Sequence, residues 1–427
     1  MRYGEILITD KEISSTKIEE KIDDDMVLKS KSPKLFYFLI QAFLSFGENL
    51  GYQYLPIFTR RLGASEIQMG LLTAVNNVAK TIFQPTFGKM SDKYGRKIFM
   101  LTGAMIATAS AITITFASSV VQVIISVTFN AFGLSILFPA WQGAIADYTE
   151  GSKRGGFMGR ILGVSYIYIS VSLMTYVFIV PLLGFSEINQ FRLIIGMAGL
   201  NFGLVSIMSW LFIDLREKSL EISQDSIFMP LKDKNYRTFL KVILFWWFFM
   251  SLAWSYFPLV ISDVIMASPI EVSYIAISAT IIQASASYFL ADYIDKFGEK
   301  ISISIGFLSF TAVPLTFAFA SEWWHLIPAQ MISGIGIGFG FTALRSYIIE
   351  IGGADRAGNY QGVYQLLWGL TTFSGSFLGG VILELVIAFV GDISTALTYM
   401  LLIIAGLRFS SNIVIFKYLP KPISSLK

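Results

Sequence analysis

Apolar runs of about 20 residues alternate with short polar breaks along almost the whole chain. The runs fall near residues 35–58, 67–88, 98–117, 120–145, 157–182, 191–213, 238–261, 271–291, 301–320, 325–348, 358–382 and 395–416 (spans 1 to 12). About 20 such residues carry a helix across bilayer hydrocarbon. The other backbone that stays fully paired in lipid is a closed barrel. Its short alternating segments do not occur here. The pattern predicts an all-α membrane protein with 12 transmembrane helices.

The polar breaks set the organisation. Residues 1–34 are polar and mixed in charge, without the apolar core and cleavage site of a signal peptide. They read as a disordered cytoplasmic N-terminal tail. The longest internal polar stretch, 215–237, follows span 6. It reads as a cytoplasmic central loop between two six-helix bundles, 35–214 and 238–418, with a cytoplasmic C-terminal tail at 419–427. Orientation follows from Lys and Arg, which are retained on the cytoplasmic side. One set of breaks holds Lys89, Lys93, Arg96, Lys97, Lys153, Arg154, Arg160, Lys296, Lys300 and Arg356, besides the tails and the central loop. The opposite set holds only Arg60, Arg61 and Arg192. Both termini are expected inside a plasma membrane crossed an even number of times.

Composition narrows the classes. Of 427 residues, 54% are hydrophobic and 14% charged, where soluble chains carry about 25% charge. So thin a polar coat excludes the water-soluble enzymes. Zero Cys and one His exclude disulfides, thiolate zinc sites, iron–sulfur centres, cysteine nucleophiles and the HExxH pattern. The span 10 glycines Gly334, Gly336, Gly338 and Gly340 lie inside an apolar helix, where they serve close helix packing and not a dinucleotide. No cofactor, metal, nucleic acid or ATP-driven step is expected. The expected partners are lipid, a small-molecule substrate and protons, with the chain a monomer.

Shifted by 203 residues, the chain partly matches itself. Ala64, Ser65 and Ile67 meet Ala267, Ser268 and Ile270; Asp92, Lys93, Gly95, Lys97 and Ile98 meet Asp295, Lys296, Gly298, Lys300 and Ile301. Gly103, Gly133 and Gly159 meet Gly306, Gly336 and Gly362, and Asp147 meets Glu350. One offset serving separate regions points to two duplicated halves. The run Gly88-Lys-Met-Ser-Asp92-Lys-Tyr-Gly95-Arg96-Lys97 resembles the signature loop between helices 2 and 3 of the major facilitator superfamily, whose two halves are parallel repeats. Asp295-Lys-Phe-Gly298-Glu299-Lys300 resembles its second copy, and Asp147 and Glu350 stand where the family carries acids after helices 4 and 10. The resemblance covers residues 35–418 and implies a transporter with that fold.

The resemblance also implies a gate. The Asp matching Asp92 meets the start of span 11, near residues 358–361, and the Arg matching Arg96 pairs with the acid Asp147. Gly95 permits a turn that a Cβ would strain, and Lys97 adds to the basic loop. Such contacts form when the halves close on the cytoplasmic side. In the second copy Glu299 replaces the Arg, so a latch against Glu350 would join like charges. A basic loop that only sets topology explains the Lys and Arg but not Asp92 or Gly95.

Polar stripes mark the spans that face a cavity or protein. Span 1 carries Gln41, Ser45, Glu48, Asn49, Tyr52 and Gln53; span 2 carries Thr73, Asn76, Asn77, Lys80 and Gln84. Steps of three and four place each set on one helical face. Tyr166 of span 5, Trp254 and Tyr256 of span 7, Gln283 of span 8, and Gln365 and Trp368 of span 11 join them. The substrate-binding candidates are Asn49, Tyr52, Asn76, Asn77, Gln84, Tyr166, Trp254, Gln283, Gln365 and Trp368. Glu48 lies near mid-membrane, where a charge costs roughly 2.5–3.5 kcal/mol. At ~1.5 Å per residue its depth differs from that of Lys80 by roughly 6–8 Å, which long side chains can bridge. Burial favours a protonated acid and a neighbouring ammonium favours the carboxylate. The pair serves either as a proton-coupling site or as an ion pair fixing helix packing. Arg345 either snorkels to the cytoplasmic face or anchors an anionic substrate.

These features make a secondary active transporter, moving a small organic solute by alternating access and coupled to protons through Glu48. Proton-coupled members of the superfamily commonly carry an arginine in helix 4; residues 121–146 contain no Lys or Arg. A proton-independent facilitator of sugars or organic anions, and a membrane sensor without flux, are the alternatives. No paired acids, Ser/His or metal cluster supports an enzyme.

Overall fold

Every regular element among the described residues of the computed structural model (33–148, 154–213, 228–289, 298–352 and 357–420) is helical. Among them, nine stretches are long and apolar enough to cross a membrane: Arg96–Thr115, Val120–Tyr148, Arg160–Leu183, Glu187–Leu211, Lys234–Val264, Glu299–Ala318, Trp323–Ile348, Tyr360–Val390 and Ile393–Tyr418. These are spans 3 to 7 and 9 to 12. Spans 1, 2 and 8 also fold as helices: Lys34–Gln53 with Leu55–Arg61, Glu66–Thr81 with Gln84–Tyr94, and Pro269–Phe289. The outward surface is apolar, with Leu182 and Phe389 exposed at 85% and 93%. Hydrocarbon suits such a surface and water does not.

Proline interrupts two spans that hydropathy draws as continuous. Pro56 and Pro85 lack the N–H that an unbroken helix needs, and spans 1 and 2 are interrupted at Tyr54 and at residues 82–83. Span 7 leaves α geometry for a 3-10 turn at Ala253–Ser255 and a π turn at Val260–Val264. Two boundaries also differ from the hydropathy pattern. Span 7 begins at Lys234, inside the expected 215–237 loop, because Asp233 caps it by accepting from the Asn235 and Tyr236 N–H groups. Span 11 runs to Val390 and so carries Glu384. That carboxylate accepts from the Ile67 N–H at 3.2 Å, at a helix N-terminus where an anion is favoured.

The two sets of six helices are packed alike. Span 3 lies against spans 4 and 6, and span 1 against spans 5 and 6. Span 9 lies against spans 10 and 12, and span 7 against spans 11 and 12. Glycine permits a close helix crossing in each half. A Cβ on Gly103 would stand 2.6 Å from the Gly133 carbonyl, and one on Gly306 would stand 2.4 Å from Gly340 Cα. Backbone geometry repeats at the same offset: Gly95 and Gly298 have φ of 97° and 76°, and Gly63 and Met266 have 93° and 55°.

Spans 2 and 11 and spans 5 and 8 join the halves. Gly70 of span 2 and Gly380 of span 11 leave no room for a Cβ on either. Tyr54 donates to Ser273 at 2.8 Å, and Ser170 and Thr280 share a hydrogen bond of 2.8 Å. Arg60 binds Asp263 through Nε at 2.8 Å and a terminal nitrogen at 2.6 Å, and it also reaches Glu66 at 2.9 Å. These contacts run from mid-molecule to the face opposite the basic loop of residues 89–97. A shared apolar core of Tyr54, Phe58, Phe191, Val272 and Ala276 backs them. Toward the basic face, the Gln84–Tyr94 segment packs chiefly on span 4 and buries only Ser91. Gly163 and Gly362 border open space there.

Arg408 shows how a buried cation is held in the C-terminal half. It is fully buried in span 12. One guanidinium nitrogen donates to the Phe310 carbonyl at 3.0 Å and another to the Met250 carbonyl at 2.6 Å. Phe310 lies four residues before Pro314, which has no N–H to give it. Met250 lies in the last turn before span 7 breaks, where carbonyls lose their helical donors. The arginine thus supplies two carbonyls that the helix irregularities set free. Arg408→Met is expected to lower stability by about 1–3 kcal/mol for each orphaned carbonyl, read as a lower thermal midpoint of the purified protein in detergent. An unchanged midpoint would refute this account.

Candidate functional site

The polar faces of spans 1 and 2 meet in an ion pair between Glu48 and Lys80. The Lys80 side chain is 8% exposed and lies 5.2 Å from the centre of the Phe138 ring. Glu48 is 31% exposed, so the pair has one buried end and one open end. Around it, Gln41 accepts from Trp141 Nε1 at 2.6 Å and donates to Ser45 at 2.8 Å. Asn49 accepts from Gln53 at 2.8 Å. Tyr166 reaches in from span 5, within electrostatic range of Glu48 and of Arg345.

The C-terminal half contributes an aromatic wall. Trp247 stacks on Phe341 with ring centres 5.4 Å apart, and meets Trp368 and Trp254 edge-on at 5.6 and 6.1 Å. Trp247 Nε1 donates to the Tyr364 hydroxyl at 2.8 Å. Asn76, Gln84, Gln283, Gln365, Trp254 and Trp368 are all partly exposed. The side chain of Tyr52 lies outside the described residues.

Two expected lining residues are placed elsewhere. Asn77 is fully buried. It shares a helical face with Gly70 and Thr81, which pack on Gly380 and Gly369 of span 11. Its carboxamide is therefore enclosed at the joint between the halves and presents nothing to a central space. Tyr256 is also fully buried, donating to the Gly379 carbonyl at 2.8 Å where span 11 packs on the span 7 break.

The basic loop forms a compact latch. Arg96 pairs with Asp92 one turn back, with Asp147 at 3.1 Å, and donates to Ser91 at 2.9 Å. Gly95, at φ 97°, starts the helix that carries Arg96. Lys97 and Gly88 are partly exposed, and a Cβ on Gly88 would make only ordinary contact with Pro139 at 3.5 Å. The conformational need for glycine thus falls on Gly95. In the second copy Gly298 keeps the positive φ, whereas Glu299, in the place of Arg96, accepts from Ser346 at 3.3 Å. Glu350 lies with Glu299 around Tyr347. Asp295 and Arg356 lie outside the described residues.

Two features were missed in the sequence. Gly143 is one: a Cβ there would stand 2.2 Å from the Arg96 guanidinium carbon. Its signal was its place one helical turn before Asp147. The Arg60–Asp263 pair is the other, and its signal was the repeat, since the two residues are 203 apart.

Comparison with known proteins agrees with this architecture. The family model of the Major Facilitator Superfamily matches residues 37–264 and 242–423. The chain belongs to this superfamily. It is 23% identical over 362 residues to the quinolone resistance protein NorA of Staphylococcus aureus, covering 82% of this chain and 90% of that one. It is 28% identical over 105 residues to an uncharacterized MFS-type transporter of Methanocaldococcus jannaschii, covering 25% of this chain and 27% of that one. The nucleoside transporter NupG has the same fold, with a TM-score of 0.69 at 12% identity over 90% of this chain and 99% of that one. So does the human organic anion transporter MFSD10, with a TM-score of 0.63 at 14% identity over 90% of this chain and all of that one.

Gly143→Val should expel the Arg96 guanidinium and loosen that latch. The chain has no cysteine, so a single Gly362→Cys reporter can be labelled without background. Averaged over closed and open states, basic-face labelling of this reporter is expected to rise severalfold with Gly143→Val. An unchanged rate would show that the latch has no hold on the opening.

Proposed function

We propose that this transporter moves a small organic solute across the plasma membrane by alternating access and couples that movement to protons through Glu48. The observation that carries the reading is the mid-span pair of a part-exposed Glu48 and a buried Lys80. An ionisable pair at this depth is costly in lipid and marks substrate or ion paths. An ammonium beside a carboxylate opposes its protonation, so a substrate that draws Lys80 away would exchange that ion partner for a proton. Span 4 has no arginine to share this task, so the coupling rests on Glu48 and Lys80 alone.

The positive-inside bias puts both termini and the latch in the cytoplasm. The joint at Arg60, Asp263 and Tyr54 then closes the extracellular side. Open space at Gly163 and Gly362 belongs to the cytoplasmic end of the central path. The similarity to NorA supports an amphipathic organic substrate, and the aromatic wall around Trp247 suits one. The chain works as a monomer, and the central site lies between its own two halves.

Glu48→Gln in proteoliposomes is expected to abolish the dependence of solute flux on an imposed pH gradient, while exchange of solute without a gradient persists. Full gradient-driven flux in the variant would overturn the coupling. Gradient-independent flux in the unmodified protein would instead favour a facilitator.

A further inference from the structure

Arg345 takes no part in the Glu48–Lys80 pair. It lies in span 10, on the Thr342–Gly352 segment. It is seven residues before the segment's end, about 10 Å at the helical rise. Several cations of the spans and their ends have partners among the described residues. Lys80 faces Glu48, Arg96 faces Asp92 and Asp147, Arg60 and Arg61 face acids, and Arg408 has its two carbonyls. Arg345 is exposed and makes no hydrogen bond or ion pair among the described residues. It is within electrostatic range of Tyr166 in one half and of Tyr364 in the other. That places its charge between the halves, and not on the lipid surface. An unpaired cation at such depth is tolerated where it lines a water-filled path.

Two tyrosine hydroxyls near it also have unused protons, although Tyr364 itself is buried. The Tyr166 hydroxyl makes no hydrogen bond among the described residues, although the side chain is largely enclosed. The Tyr364 hydroxyl accepts from Trp247, and its own proton has no acceptor among them. Arg345 of span 10 thus lies in electrostatic range of two neutral donors, one on span 5 and one on span 11. Since Glu48 and Lys80 neutralise each other, the central charge is left positive. Trp247, Phe341 and Trp368 stand beside Tyr364.

We propose that Arg345, with the Tyr166 and Tyr364 hydroxyls, is the anchor for a carboxylate on the transported solute, and that the favoured substrates are aromatic monocarboxylates. This rests on the transporter reading and names its substrate class. A planar guanidinium matches a carboxylate through paired donors, and the indole rings cover the aromatic part.

The test compares 1-naphthoate with 1-naphthamide, which differ in charge and little in shape. Binding to the full-length protein in detergent is read by quenching of tryptophan fluorescence. Naphthoate is expected to bind at least tenfold more tightly than naphthamide. Arg345→Gln should bring the two affinities together while leaving that for naphthamide within twofold, and Arg345→Lys should keep part of the preference. Tyr364→Phe should reduce the preference severalfold through a milder change. Naphthoate binding no tighter than naphthamide, or a preference that survives Arg345→Gln, overturns the assignment. Counterflow of labelled naphthoate in proteoliposomes separates the two readings. Charge-selective binding without counterflow refutes transport and keeps the anion site, whereas counterflow without charge selectivity does the reverse.

Discussion

Hydrocarbon offers no water to a lone carbonyl or a lone charge, and this shortage of partners shapes the molecule. Each departure from regular helix in the spans creates an orphan group, and the neighbouring helices supply its partner. Pro314 frees the Phe310 carbonyl and the span 7 break frees that of Met250, and Arg408 serves both. Ser376 donates to the Ser251 carbonyl one residue further along the same break. The longer span 11 brings Glu384 to the helix start at Ile67. The breaks are thus pinned features, and span 7 is stapled at its kink by spans 11 and 12.

The same rule separates sealed charges from accessible ones. Arg408 is sealed among carbonyls and apolar rings, where its partners cannot be replaced by a ligand. Lys80 and Glu48 satisfy each other at a site that is open at one end, so their pairing is reachable in a way that of Arg408 is not. The latch around Arg96 stands at the membrane edge, where Asp92, Asp147 and Ser91 share one guanidinium over the gap left by Gly143. Position and enclosure, more than residue type, decide what each ion pair is free to do.

Much of the architecture was legible in the chain because its causes are periodic. Twenty-residue apolar runs and a 203-residue repeat state the helices and their duplication directly. The Glu48–Lys80 contact was legible because helical rise fixes depth. The finer structure was less so. The interruptions at Tyr54 and Ile82 come from single prolines that barely alter hydropathy. Asn77 carries the same polarity as Asn76, yet one helical position turns it from the part-exposed face into the packed joint with span 11. Gly143 has no chemistry of its own, and its value appears only once Arg96 is seen to fill the space it leaves.

The closure at the far face bears on how the two halves came to differ. Arg60 and Asp263 occupy one repeat position, so they meet as counterparts across the axis that relates the halves. In a dimer of identical six-helix units, a residue on such an axis faces its own copy. Two arginines there, or two aspartates, would repel. An attractive pair at a self-facing position is open only to halves that differ in sequence. This salt bridge therefore stands at the one point where identical halves would set like charges face to face.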